Sequence, residues 1–254
     1  MRVPFIVYAD FESFTTQLST CQPNPDESYT KRYKKHTPSG FCYHIKCFDD
    51  RLYSQEPVIF VKEYYDDDVA QIFIDTLEKN IKDIYKQFKF PKGMIMTMHG
   101  KMVYHNSTLC HICNEELGKD IVRDHCHVTD KFRGVAHKDC KLKYRVPKFF
   151  PVVFHNLSGY DSHLFINTLE NSEGDISCNP HNEENYISFT KQVIVDKFVN
   201  EEGKEVYVKR ELRFIDSLKF MASSLDKLSS NLKIDQSVNL KKYYSGNQLS
   251  LLLR

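Results

Sequence analysis

The sequence predicts an α/β domain, a mixed sheet flanked by helices, interrupted by a small metal-binding module. Three observations lead there. Residues 4–9 (PFIVYA) and 151–155 (PVVFH) are almost unbroken apolar runs, the pattern of strands buried on both faces. Between them Val69, Ile72, Phe73, Leu77, Ile81, Ile84, Tyr85 and Phe88 recur at helical spacing. The intervening stretch 103–148 is polar and carries a crowd of Cys and His.

Taken in order, the first strand is followed by a segment rich in Pro, Asn and Ser, 20–40, which reads as a loop. Residues 41–48 alternate well enough for a strand, and 57–61 fit another. Asp66-Asp67-Asp68 then opens the helix, because acidic groups complement its free N–H groups and dipole. That capping role also disposes of Tyr64-Tyr65-Asp66-Asp67 as a Tyr-x-Asp-Asp polymerase signature. After the strand at 151–155, a helix is expected over 162–169. A hairpin is expected over 186–214, turning at Glu201-Glu202-Gly203-Lys204. Ser223-Ser224-Leu225-Asp226 opens a last helix with Leu225, Leu228 and Leu232 on one face. Three regions result: 1–102, the insert 103–148, and 149–254.

Composition narrows the class. With 254 residues, 18 Phe and 15 Tyr, the chain can bury a real core. No run reaches the ~18 apolar residues of a membrane helix. No signal peptide precedes the first strand, so an intracellular protein, in nucleus or cytoplasm, is expected. Of eight cysteines, Cys21, Cys42, Cys47 and Cys178 are scattered, which suits a metal site in a reducing compartment better than a disulfide scaffold. The net charge of +1 leaves nucleic-acid contact to local patches. Lys31-Arg32-Tyr33-Lys34-Lys35 reads as a solvated face, and a second patch lies over 141–148.

Two groups of acids carry chemistry. Asp10 and Glu12 end the first strand two residues apart, so their carboxylates share one face while Phe11 takes the other. Such a pair is costly beside a core unless a divalent cation accompanies it. His155-Asn156-Leu157-Ser158-Gly159-Tyr160-Asp161 leaves a second strand and supplies a third carboxylate beyond a strand end, where open sheets place their sites. Asp-x-Glu followed by Asn-x-x-x-Tyr-Asp resembles the first two exonuclease motifs of family B DNA polymerases. Phe214-Ile215-Asp216-Ser217-Leu218 resembles a motif that protein-primed members of that family use on single-stranded DNA and on the priming protein. The nearest likeness over most of the chain is to polymerases of large self-synthesising (Maverick or Polinton type) transposons and related viruses.

The resemblance implies a ribonuclease H-like fold and 3′–5′ proofreading of single-stranded 3′ ends at a primer-template. Asp10, Glu12 and Asp161 would hold two Mg²⁺ or Mn²⁺ ions. Asn156, Tyr160, Ser217 and Leu218 would contact DNA. A terminal priming protein is an implied partner, and no membrane is.

In the insert, Cys110-His111-Ile112-Cys113 and His137-Lys138-Asp139-Cys140 are two ligand pairs, each with the spacing that lets one turn reach a tetrahedral Zn²⁺. His111, His125, Cys126 and His127 are alternative ligands. With Asp124-His125 and Arg133-Gly134 inside the loop, the segment resembles the zinc-bound ββα-metal unit of phage endonuclease VII. There an Asp-His pair serves the catalytic metal, helped by an Asn that follows the last zinc ligand. Here that position is Lys141, whose ammonium cannot ligate a cation. Asp124 and His125 thus read as a relic nuclease site in a structural knuckle, with Lys141, Lys143, Arg145 and Lys148 facing phosphates.

After Asp216 the only acids are Asp226 and Asp235, and neither has the Tyr four positions earlier of the family's last exonuclease motif, Tyr-x-x-x-Asp; the palm motifs are absent too. Asp216 is the substitute carboxylate on offer. The expectation is a fragment cut before that last motif, with weak exonuclease activity and no polymerase activity. Its rivals are a non-enzymatic zinc-stabilised DNA-binding module derived from a mobile element, and an endonuclease VII-like endonuclease.

Overall fold

The computed structural model describes residues 3–18, 34–90, 92–144, 147–180, 186–236, 240–242, 244, 245 and 248. Arg145, Cys21, most of the 31–35 patch and the apolar run 249–253 lie outside them.

Seven strands form one mixed sheet: β1 (Phe5–Gln17), β2 (Lys34–Cys47), β3 (Val58–Val61), β6 (Phe149–Phe154), β7 (Ile176–Pro180), β8 (Tyr186–Val199) and β9 (Glu205–Asp216). Their spatial order is β3-β2-β1-β6-β9-β8-β7. The three central strands β1, β6 and β9 run parallel, and every other pairing is antiparallel. A separate two-stranded ribbon, β4 (Ile121–His125) with β5 (Phe132–His137), belongs to the insert. The helices are α1 (Val69–Phe88), α2 (Met98–Asn106), α3 (Lys138–Lys143), α4 (Ser162–Phe165) and α5 (Leu225–Ser229). No helix among the described residues is long and apolar enough to cross a membrane.

The core lies between the sheet and α1. Asp68 caps α1 as expected, its carboxylate accepting the Gln71 N–H at 3.1 Å. Phe73, Ile74, Leu77 and Ile81 on the helix are fully buried. They meet Val7 and Phe11 on β1, Phe41 and Tyr43 on β2, and Phe154 on β6. Phe11 is stacked on Phe165 and edge-on to Phe73, with ring centroids 5.4 and 4.9 Å away. Offset and edge-on ring pairs add about 0.5–1.5 kcal/mol beyond their buried area, so the aromatic excess of this sequence is spent on the strand that carries the acids.

Several elements depart from the sequence expectation. The loop placed over 20–40 gives way to strand by Lys34, because β2 pairs with β1 as far as Lys34 opposite Gln17. The helix expected over 162–169 is only one turn of α-helix, preceded by a π turn over Leu157–Asp161 and followed by a 3₁₀ stretch over Ile166–Asn171. Helix α5 is five residues long, and Leu225 and Leu232 stay exposed. Helix α2 straddles residue 103, and edge strand β7 had no periodicity to announce it.

One buried charge holds the β7 side together. Lys191 on β8 is fully buried, and its Nζ donates to the carbonyls of Ser172 (2.6 Å) and Gly174 (3.0 Å). Burial lowers its pKa from the usual lysine range, while Glu78 on α1 works against that shift.

Candidate active site and metal centre

The three acidic residues lie where β1 outruns β6. Parallel pairing between the two strands covers only Val7–Val152 and Tyr8–Val153. Past that point β6 turns away at Phe154, which leaves the Phe11 N–H without a strand partner on that side. Asp161 takes it: Phe11 N donates to Asp161 Oδ1 at 3.3 Å across 150 residues of sequence. The third acid is therefore seated against the backbone between Asp10 and Glu12.

Local geometry explains how the chain gets there. Asn156 adopts a left-handed conformation (φ 75°), which reverses the chain immediately after β6. Its side chain folds over Gly159, where a Cβ would lie 2.3 Å from Asn156 Oδ1, so a larger residue there would push the Asn156 amide aside. The π turn then widens the backbone by one residue and directs Asp161 inward, leaving it 2% exposed.

Electrostatics record the convergence. Burial and the Asp10 charge push Asp161 up to about 7. Asp10 opens to solvent, yet partial desolvation and the Glu12 charge raise its pKa above the usual carboxylate range. Neither of them, nor Glu12, is in an ion pair among the described residues. Asp10 thus stands within electrostatic reach of Asp161 and of Glu12, a build-up of negative charge that a divalent cation would relieve.

Asp216 is not available as the substitute ligand. It ends β9 beside this site, but it is 3% exposed and already accepts four hydrogen bonds. These come from Asn156 N (2.9 Å), Leu218 N (3.0 Å), Ser158 N (3.1 Å) and Ser158 Oγ (2.8 Å). Although burial opposes it, these donors hold the carboxylate below its ordinary pKa. Asp216 instead ties the Asn156 turn to β9.

Among the residues expected at DNA, Tyr160 stands over β1, its hydroxyl bonded to Ser13 Oγ and, at 3.0 Å, to His36 Nδ1. Asn156 is exposed and Leu218 half-buried. Ser217 is buried, its Oγ donating to Phe154 O at 2.9 Å with His155 Nδ1 also 2.9 Å away. Any DNA contact in that stretch falls to its exposed neighbours Lys219 and Phe220. Sequence reasoning missed Ser13 and His36 because only the β1–β2 register brings them under Tyr160. It missed the bridge from His155 to Ser217 because the two follow different strands, β6 and β9, 62 residues apart.

The insert is a ββα unit, β4-β5-α3, with a Cys110–Cys113 knuckle ahead of it. Asn114 turns left-handed (φ 61°) and donates to Cys110 O at 2.9 Å, closing the knuckle. His111 N donates to Val135 O at 2.9 Å and docks it on β5. Ligand atoms of Cys110, Cys113, His137 and Cys140 lie within 4.8 Å of one another, and among the described residues no other set of three or more His, Cys, Asp or Glu is so close. His137 Nδ1 stands 3.5 Å from Cys113 Sγ and 3.7 Å from Cys140 Sγ. A tetrahedron with Zn–S of about 2.3 Å and Zn–N of about 2.05 Å has an S···N edge of about 3.6 Å. The fit is good, and this Cys₃His group can hold a zinc ion. His137 Nε2 donates to Glu116 O at 3.0 Å, which leaves Nδ1 free to ligate. Burial opposes the Cys110 thiolate, yet backbone N–H groups from Cys113, Ile112 and His137 outweigh it and bring that thiol down to about 6.

The alternative ligands have other duties. His111 Nε2 is 2.9 Å from Asp124 Oδ2, and its ring covers Gly134, where a Cβ would lie 2.7 Å from His111 Cγ. Asp124 is 1% exposed and also paired with Arg133 at 2.9 Å. Its carboxylate is sealed, so the Asp124–His125 pair has no free face for a catalytic cation. His125 is paired with His127, ring centroids 4.8 Å apart, and burial and that neighbour lower its pKa. Cys126 lies outside the cluster. Lys141 Nζ donates to Arg123 O at 2.9 Å, tying α3 to β4, whereas Lys143 and Lys148 are exposed.

No family model, curated protein or solved structure matches the chain. The two centres differ in kind: one is a closed four-ligand cage, the other an open, strained set of acids.

Proposed function

We propose that this chain is the exonuclease region of a protein-primed family B DNA polymerase, of ribonuclease H-like topology, acting on single-stranded 3′ ends. The observation that carries the reading is the Asp161–Phe11 hydrogen bond, which seats Asp161 against the backbone between Asp10 and Glu12, just beyond the paired stretch of two adjacent parallel strands. The strand order β3-β2-β1-β6-β9, with β2 antiparallel to the parallel three, supports the topology. So does the placement of α1 between β3 and β6.

Asp10, Glu12 and Asp161 would hold Mg²⁺ or Mn²⁺, which when bound activates a water and stabilises the leaving 3′ oxygen. The chain's own part is to seat the end of the strand: Tyr160, fixed by Ser13 and His36, offers a ring edge to the terminal base. Asn156 presents an exposed amide on the same turn. The zinc knuckle is structural.

Because Asp216 is saturated, the site has three free acids rather than four, and cleavage is expected to be slow. That same deficit favours a second reading, a module that binds DNA without cutting it. A 5′-labelled single-stranded oligonucleotide with Mg²⁺ or Mn²⁺ separates the readings. Stepwise shortening from the 3′ end, lost in Asp10→Ala and Glu12→Ala and kept in Asp124→Ala, supports the exonuclease. Binding with no shortening under any divalent metal selects the module, and nicking that depends on Asp124 and His125 revives the endonuclease.

A further inference from the structure

A second cavity of about 570 Å³ lies between the zinc module and the sheet. Its volume falls in the range of ligand pockets, about 300–1,000 Å³. It borders the start of β6 at Phe149, whereas the acids gather beyond the other end of that strand at Phe154. Five residues at about 3.3 Å each put roughly 17 Å between those ends. The cavity is thus a separate place from the carboxylate site.

Its walls combine two chemistries. Tyr85 and Phe88 from α1, Tyr144 after α3, and Phe149 supply half-buried aromatic rings. Arg133, Arg210, Lys141 and Lys148 supply positive charge. The one acid in the lining, Asp124, is already neutralised by Arg133 and shared with His111. Net positive charge therefore remains. Arg210 is the telling case: it is half-buried, and among the described residues no carboxylate pairs with it. Its guanidinium lies 4.9 Å from the Tyr85 ring centre, and that ring is held by a hydroxyl bond to Asp196 at 3.3 Å. Arg133 sits likewise 4.6 Å from the Tyr144 ring centre. Such prearranged Arg–aromatic pairs suit a ligand that is anionic and planar at once.

We propose that this cavity binds a nucleotide unit of single-stranded DNA, with a base against Tyr85 or Tyr144 and its phosphate between Arg210 and Lys148. It rests on the nucleic-acid reading above and adds to it a binding site remote from the acids. Base–aromatic stacking contributes about 1–3 kcal/mol per base, and each phosphate neutralised adds to the salt dependence.

The test uses the whole zinc-loaded chain and fluorescein-labelled oligothymidylate, read by anisotropy with EDTA kept low enough to spare the zinc. Arg210→Gln with Lys148→Gln should weaken binding at least tenfold and flatten its salt dependence. An abasic oligomer of equal length should bind several-fold more weakly than oligothymidylate. Arg210→Gln with Lys148→Gln acts on affinity, whereas loss of cleavage in Asp10→Asn reports on the acids, so failure of the catalytic reading and failure of this one are distinguishable. Ultraviolet cross-linking of a 5-bromodeoxyuridine oligomer to the unaltered protein should map to peptides carrying Tyr85 or Tyr144, whatever the folding of the variants. Equal affinity for abasic and thymidine oligomers, or cross-links confined to the Tyr160 peptide, would overturn the proposal.

Discussion

The Cys₃His cage and the acidic crevice are built on opposite principles. In the cage, each pair of ligands comes from one turn, and the partners are held apart at the spacing of a tetrahedron. In the crevice, residues 10 and 161 come from distant parts of the chain and are brought together by one backbone hydrogen bond. The cage stabilises its surroundings by accepting a metal. The crevice costs stability without one, as the rise of Asp161 to about 7 records. The cage is closed around its four ligands, whereas the crevice is left open and carries unpaired carboxylates.

The comparison can be broken most severely at the cage. Structural zinc in small modules contributes on the order of 10 kcal/mol to folding. Stripping it with a strong chelator should abolish hydrogen-exchange protection of β4 and β5 while β1 and β6 stay protected. Simultaneous loss of the main sheet would show that the insert is no separate cooperative unit.

Asp216→Ala comes next. It leaves three backbone N–H groups and the Ser158 hydroxyl without their acceptor, at a cost of about 3–5 kcal/mol in urea denaturation. Its pKa is depressed in the fold, so its contribution is present above the unfolded value near 3.8 and disappears as pH falls through the folded value. Loss of less than 1 kcal/mol would mean the Asn156 turn is held elsewhere.

Asp161→Asn should do the reverse. The folded protein keeps its proton up to about pH 7, while the unfolded chain releases it near 3.8. The carboxylate is therefore neutral in its effect below pH 4, increasingly destabilising from 4 to 7, and fully so above 7. The asparagine variant should gain at most about 4 kcal/mol at pH 8 and nothing at pH 3.5. A pH-independent change would show that Asp161 is not desolvated as described. Smallest is Lys191→Met, expected to cost about 2 kcal/mol by orphaning the Ser172 and Gly174 carbonyls, with no effect on either metal centre.

What could be read from the sequence follows the same division. Local patterns were legible: the Asp68 cap, the hairpin turning before Glu205, and the two ligand pairs of the cage all lie within a few residues of each other. The alternation around Phe11 also placed Asp10 and Glu12 on one face. What depends on register was not legible. Nothing local shows that β1 extends past β6, that His36 comes under Tyr160, or that Asp216 is consumed by the Asn156 turn. Nor does anything local mark Lys191, because its burial arises from β8 lying between β9 and β7.

The proposed function requires Asp10, Glu12 and Asp161 to hold a divalent cation together. Mn²⁺ titration of the zinc-loaded protein at pH 8, followed by electron paramagnetic resonance of the free ion, tests it most directly. Saturable binding is expected, weakened at least tenfold by Asp10→Asn and by Asp161→Asn and untouched by Asp124→Asn. Mn²⁺ binding that survives the first two substitutions, or is lost with the third, would contradict it.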